Sequence, residues 1–361
     1  MDIHIVPGVK ARDVAEAHRK DLLHQEEYEC KCMTYWIDEQ RENIFCLIEA
    51  PNREAVEEMH NNAHGLIPNK VIEVSSTVVE SFLGRIYDPP DAEVAGDLKI
   101  FSDSGFRVLL VTRFTDPVLL QHSLGSEKAG QLQNTHNRVV RKQLAAFDGR
   151  EVEHEGTGFI ISFTSATRAV SCALAIREEM PADEAEAMDF RMGISAGEPV
   201  ENSNRLFGDT LQLASCLTVI AKSNQLALAS SVKDLVAKDY FQSTRNHFLV
   251  LQPQDENLLK LLFTKLEENW QNPEFDIDDY CHEMAMSKSQ LYRKTITLTG
   301  LSPNILLKQF RLEKAKELMK KKCYTISQVT FDSGFTSPSY FTKCFKTKYG
   351  LLPVSYLELL P

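Results

Sequence analysis

Two histidines four residues apart, His60 and His64 in the segment MHNNAHG, have the spacing that places two imidazoles on one face of a helix end. His4, on what reads as the opening strand, is a third candidate ligand, so the metal set taken from the residues is His4, His60 and His64. Neutral imidazoles suit Ni²⁺, Zn²⁺ or Cu²⁺, and spacing does not choose among them. The same histidines also suit an ordinary helix surface and turn. His18, His24, Cys30, Cys32 and Glu49 lie in the same region. A second constellation sits at the other end of the chain, in SQVTFDSGFTSPSYFTKCFKTKYGLLPVSY, Ser327 to Tyr356. It reads as a short helix, a glycine turn, a helix carrying Lys343, Lys346 and Lys348, and a Gly-x-x-Pro stop. That pattern is a helix-turn-helix, which lays its second helix in the major groove of DNA. A looser copy, IDDYCHEMAMSKSQLYRKTITLTGLSPNIL, precedes it.

Charge supports the second constellation. The 361 residues carry a formal net charge of -11, which alone argues against nucleic acid. From Met286 to Gly350, however, thirteen lysines and arginines face three acids, a basic block on an acidic chain. Length predicts two or three domains. A hydrophobic content of 43% is that of a soluble globular protein, and no apolar run reaches the roughly 18 residues of a membrane span. The N-terminus lacks a signal-peptide pattern, and the eight scattered cysteines read as free thiols in a reducing cytoplasm.

The periodicities predict the elements that would position these residues. Residues 1 to about 80 alternate as strand (Ile3–Val6), helix (Ala11–Glu29), two strands (Met33–Ile37 and Ile44–Glu49), helix (Arg53–His64) and strand (Val71–Val74), a βαββαβ order and hence a small ferredoxin-like sandwich. Tyr87–Asp97, with paired prolines and acids, reads as a linker. From Phe106 to about Leu235 a second α/β pattern follows, with a long helix over Glu127–Phe147 and a glycine-bearing hairpin. The remaining helices carry the duplicated helix-turn-helix, which is the only internal repeat visible in the residues. The expected domains are 1–84, 98–245 and 256–361.

The C-terminal motifs resemble the AraC/XylS transcription regulators from about Leu258 onward, at Ile326, Val329, Phe335, Phe341 and Phe345, the turn Gly334, and Gly350 with Pro353. The resemblance implies base-edge contacts from Ser289, Tyr292 and Arg293 in the first unit, Arg293 being suited to a bidentate guanine contact. In the second unit, Phe341 and Phe345 turn inward and leave Ser339, Tyr340 and Lys343 at the groove. Lys294, Lys346 and Lys348 are placed for phosphates. The arginine that often follows the final Ser-x-x-Tyr is Leu357 here.

Residues RFTDPVLL, GREVEHEGTGFIISF, FRMGISAGEP and LFGDTLQLASCL resemble the class III nucleotide cyclase domain. That resemblance makes Asp116 a remnant metal position. Thr157 replaces the second metal aspartate, Glu153 the base-selecting lysine, and Arg205 its aspartate partner; Gln212 and Cys216 stand at the asparagine and arginine positions. A threonine cannot replace a bridging carboxylate, nor a cysteine a guanidinium, so catalysis is not expected. Glu153 and Glu155 would repel a triphosphate. The domain is expected to dimerise or transmit a signal.

HIVPGV, FCLIEAP and HNNAHGL resemble small bacterial ferredoxin-like proteins, some of which bind nickel. The combined expectation is a multidomain α+β then all-α chain: a ferredoxin-like domain, a degenerate cyclase-like α/β domain and a tandem helix-turn-helix domain. It would be a cytoplasmic, nucleoid-associated, homodimeric DNA-binding transcription regulator without a membrane partner, responsive to Ni²⁺, another transition metal or a small ligand, with RNA polymerase as a further partner. An active cyclase with a DNA-binding tail and a metal-buffering protein are the alternatives.

Overall fold

Strand β1 (Asp2–Ile5) places Asp2 and His4 on one face and Met1 and Ile3 on the other, as period-two side-chain alternation requires. Helix α1 (Ala11–His24) follows; it stops five residues short of the expected end, where a 3₁₀ turn (Gln25–Tyr28) and a left-handed Glu29 redirect the chain. Strands β2 (Lys31–Asp38) and β3 (Asn43–Glu49), helix α2 (Arg53–Ala63) and strand β4 (Lys70–Val71) complete an antiparallel sheet of order β2-β3-β1-β4. Asn52 caps α2 by accepting from the Ala55 amide at 2.8 Å. This is the expected ferredoxin-like βαββαβ domain, here in a computed structural model that describes residues 1–237 and 248–360.

Helix α3 (Ser76–Leu83), absent from the sequence expectation, follows the sheet. The segment read as an open linker instead forms a hairpin, β5 (Glu93–Ala95) with β6 (Leu98–Ile100). Its apolar end decides this: Leu98 is buried and Phe101 stacks on Tyr35, with ring centroids 4.1 Å apart.

The middle part comprises β7 (Arg107–Arg113), α4 (Pro117–Leu124), α5 (Ser126–Ala146), the hairpin β8 (Arg150–Glu155) and β9 (Gly158–Phe163), α6 (Ala166–Glu179), α7 (Ala182–Ala187), β10 (Arg191–Gly197), α8 (Gly208–Ile220), β11 (Leu226–Leu228), α9 (Ser230–Leu235) and β12 (Phe248–Val250). The expected boundary at 245 lies outside the described residues. The sheet order is β12-β11-β10-β7-β9-β8. Its first four strands, β7 to β10, lie in the order β8-β9-β7-β10, the same arrangement as β2-β3-β1-β4. The chain therefore contains a topological repeat that its residues do not display.

The two sheets meet face to face. Ile3, Trp36, Phe45 and Leu47 from the first contact a cluster that contains Leu109 of β7, with Val152 and Ile160 at its margin. Polar ties frame the contact: Asn43 Nδ2 donates to Glu198 at 2.7 Å, and Lys70 Nζ donates to the carbonyls of Glu201, Asn202 and Ser203. The other face of the middle sheet is covered by α5 and α6. Helix α8 instead lies beside the first sheet, on the face where Leu109 points and a Cβ on Gly193 would point, and meets the C-terminal helices.

Those helices are α10 (Pro253–Asn269), α11 (Ile277–Glu283), α12 (Lys288–Thr299), α13 (Pro303–Lys320), α14 (Ile326–Asp332), α15 (Pro338–Tyr349) and α16 (Pro353–Glu358). Helix α10 lies on α8, where Gln212 Nε2 donates to Thr264 Oγ1 at 2.9 Å. Helix α8 reaches the sheet closely because Gly193 of β10 has no Cβ; one built there would collide with the Ala214 carbonyl oxygen. Gly193→Ala is therefore expected to lower stability by about 1–3 kcal/mol in urea unfolding. A midpoint equal to wild type would contradict this close approach.

Candidate metal centre and nucleic-acid interface

The strand-face alternation that built β1 brings Asp2 and His4 under the helices, and register sets Cys46 of β3 opposite Asp2. Helix α2 lowers His60 and His64 onto the same spot, and Asp21 reaches it from α1. Two groups have donor atoms within 4.8 Å of one another: Asp2, His4, Cys46 and His60, and Asp21, His60 and His64. His60 belongs to both. Its Nδ1 lies 3.1 Å from Asp21 Oδ1 and 3.0 Å from His64 Nε2, while Nε2 lies 3.3 Å from Asp2 Oδ2.

The three histidines singled out in the sequence thus stand together. Asp2, Asp21 and Cys46 were missed; the Asp2-x-His4 alternation was the available signal, whereas the Asp2–Cys46 register is a tertiary fact. Of the other residues noted there, His18 also lines the small cavity, of about 20 Å³, between α1 and the sheet. His24 lies outside it and bonds the Lys20 carbonyl. Cys30 and Cys32 pack with Met59 in a separate apolar cluster.

Opposite charges meet inside this site. Burial opposes the charged form of His60, but hydrogen bonds to Asp2 and Asp21 outweigh it and push His60 up to about 10. Burial likewise opposes ionisation of Asp2 and Asp21, and their imidazole partners nevertheless hold both below the usual carboxylate range. Cys46 moves upward through burial and the neighbouring Asp2. His4 is 4% exposed; its Nε2 lies 3.4 Å from Asp2 Oδ1, and its Nδ1 makes no hydrogen bond. A buried imidazole with one ring nitrogen unpartnered, beside two more imidazoles, two carboxylates and a thiol, fits the borderline donor set of a divalent transition metal. A cavity of this size has room for an ion or a water.

The second candidate site is made by helix ends. In the first unit, Ser287 and Gln290 form a reciprocal capping box that starts α12, and Gly300 ends it. Leu291 and Thr295 are buried, which turns Ser289, Arg293 and Lys294 to solvent. Tyr292 is half-buried, and its hydroxyl accepts from Asn304 Nδ2 at 2.5 Å.

In the second unit Ser337 caps α15, accepting from the Tyr340 amide, and Gly350 ends it. Phe341 and Phe345 are fully buried, so Ser339, Tyr340, Lys343 and Lys346 face outward. Lys348 instead donates to Gln309 at 3.1 Å. The turn residue Gly334 has φ +76°, and a Cβ there would also strike the Trp270 carbonyl oxygen. Helix α13, 18 residues and hence about 27 Å long, joins the two units. Leu357, at the departure noted above, packs against the core of the second unit.

Asp116 does not form an open cation site. It caps α4 and lies 2.8 Å from Lys320 Nζ. Cys216 is buried and Gln212 is covered by α10.

Known proteins resemble separate segments of this chain. Residues 1–74 match a family model described as nickel responsive protein SCO4226-like, and residues 280–358 match one described as helix-turn-helix domain. Histidine kinase P4 of Formosa agariphila is 36% identical over 102 residues, 28% of this chain and 7% of that protein. The HTH-type transcriptional regulator MtrA of Neisseria gonorrhoeae is 32% identical over 100 residues, 28% of this chain and 32% of MtrA. The chain thus spans about a third or less of the length of these relatives. An adenylate/guanylate cyclase/hydrolase from Silicibacter pomeroyi aligns over 37% of this chain and 83% of its own, at 22% identity and a TM-score of 0.32. Among the described residues, no helix is long and apolar enough to cross a membrane.

The balance around His60 has a pH signature in the metal-free chain. Its pKa rises from 6.5 to about 10 on folding, so its stabilising contribution is complete below pH 6.5 and is lost as pH rises through 10. The lowered pKa values of Asp2 and Asp21 act oppositely, their contributions being lost as pH falls through the acid range. The stability difference between wild type and His60→Gln is expected to shrink between pH 6.5 and pH 10 in urea titrations of metal-free protein. A difference independent of pH over that interval would contradict the ion-paired imidazolium.

Proposed function

We propose that this chain is a sequence-specific DNA-binding transcription regulator of AraC/XylS type whose N-terminal domain senses a transition-metal ion, nickel being favoured by the matched family. The observation that carries the reading is the pair of outward rows, Ser289, Arg293 and Lys294 on α12, and Ser339, Tyr340, Lys343 and Lys346 on α15. Both rows sit on helices whose opposite faces are buried. Arg293 reads a base edge, Tyr292 borders it, and Lys294 and Lys346 hold phosphates.

In the sensing half, Asp2, His4, Cys46 and His60, with Asp21 and His64 beside them, hold the ion. When bound, the ion supplies a positive charge that replaces the proton of His60 between the two carboxylates. The opposite faces of β1 and β3 carry Ile3, Phe45 and Leu47 at the contact with the middle domain, so these strands would join a change at the ion site to that contact. The middle domain transmits this and performs no catalysis, since Thr157, Glu153, Arg205, Gln212 and Cys216 lack the required groups and Asp116 is engaged. The regulator acts on double-stranded DNA in the cytoplasm alongside RNA polymerase. Both faces of each large sheet are covered within the chain, so a homodimer would pair through helices or sheet edges.

The test is equilibrium binding of the full chain to a duplex selected from a genomic footprint. Arg293→Ala is expected to cost about 1–3 kcal/mol and to relax preference at one base pair. Lys346→Ala should weaken all duplexes alike and lower the salt slope by about one. Nickel titration into the same protein should lose its high-affinity phase in the His60→Ala/His64→Ala double variant. Unchanged DNA binding after charge reversal at Arg293 and Lys343 would leave only a metal-buffering role, and unchanged nickel affinity in the double variant would remove the sensor.

A further inference from the structure

Asp116 is 4% exposed, and both its oxygens are used. Oδ1 accepts from the Val118 amide at 3.1 Å, capping α4. Oδ2 accepts from the Tyr356 hydroxyl at 3.1 Å and lies 2.8 Å from Lys320 Nζ. Both partners belong to the second helix-turn-helix unit, Tyr356 on α16 and Lys320 at the end of α13. The next residues of α4 continue the contact. Val118 is buried in the same cluster as Phe341, Phe345 and Tyr356, and Leu119 packs at its margin. The middle domain thus contributes a carboxylate and two apolar side chains to the core of the second reader. The first reader is fastened elsewhere, through α10 on α8 and through Tyr280, whose hydroxyl donates to the Leu262 carbonyl at 3.0 Å.

We propose that the start of α4, anchored by Asp116, is a docking surface for the chain's own second helix-turn-helix unit, and that the docked pose is the one in which that unit reads DNA. A carboxylate matches this occupant because an ammonium and a buried phenol converge on it, and the Tyr356 hydroxyl would otherwise be a buried donor without an acceptor. The reading face stays open in this pose: Ser339, Tyr340, Lys343 and Lys346 are all exposed while Tyr356, Phe341 and Phe345 are fully buried. Two independent attachments, α10 on α8 and α13 with α16 on α4, hold the two readers in a set orientation. The DNA half of this proposal rests on the reading given under Proposed function; the docking half does not.

Hydrogen–deuterium exchange on the full chain tests it. Asp116→Asn keeps an oxygen able to cap α4 but presents an amide N–H₂ to Lys320 and Tyr356. Amides of α4 and α16 are expected to exchange about tenfold faster or more in this variant, while α11 and α12 keep their protection. The Lys320→Gln/Tyr356→Phe pair, which leaves the cap untouched, should act in the same direction. Protection equal to wild type in both variants would overturn the docking. Adding the footprinted duplex to wild type should leave α4 protected, and loss of that protection on DNA binding would overturn the claim that the docked pose reads DNA. A chain that bound no duplex would remove the regulator reading, and the comparison of variants without DNA would still decide the docking.

Discussion

The N-terminal sheet is buried on both faces, and the remaining architecture follows from that constraint. A strand with two buried faces must carry two different sets of side chains in alternation. On β1 and β3 one set is Asp2, His4 and Cys46, under the helices; the other is Ile3, Phe45 and Leu47, against the middle domain. Slipping either strand by one residue would drive carboxylates into the domain contact and apolar side chains into the imidazole cluster. The site and the interface are therefore set by one register. Full burial of each large apolar side chain stabilises by about 1.5–3 kcal/mol, so separating the two sheets would forfeit several such terms at once.

Beyond that contact, helix α8 is the shared support. Leu206 and Phe207 at its start join the cluster between the sheets, Leu213 and Leu217 enter the central core, and Gln212 meets α10. The helices that carry the first reader thus stand on the element that also borders the N-terminal sheet. The second reader stands on α4. Physical contact of this kind couples two sites when both bias one shared element differently. The exchange of a proton for an ion at His60 is the differential event proposed for one end.

Much of this was legible in the residues. The helix-turn-helix units announce themselves because caps and stops, Ser287, Ser337, Gly334 and Gly350, are local signals whose geometry few residues can supply. His60 and His64 were legible for the same reason, a spacing within one helix. Asp2, Asp21 and Cys46 were not, because they reach the site from three separate elements and look singly like a chain end, a helix acid and a strand thiol. The repeated βαββαβ order escaped notice because topology repeats without repeating residues. The 87–97 segment misled because its prolines and acids suggested a linker, while Leu98 and Phe101, just beyond, tie it to Tyr35. Asp116 resembled a metal ligand; in the fold it holds Lys320 and Tyr356.

On the proposed reading, the metal site and the DNA-reading helices belong to one coupled body. Linkage makes that claim measurable in one quantity, since two coupled sites must alter each other's affinity by the same factor. The most direct measurement is the nickel affinity of the full chain by calorimetry, with and without saturating footprinted duplex. A coupling free energy of about 1–3 kcal/mol, a shift of about 5- to 150-fold, is expected in wild type, matched by an equal shift in DNA affinity when nickel is added. Nickel binding with the same affinity in the free and DNA-bound chain would contradict the account.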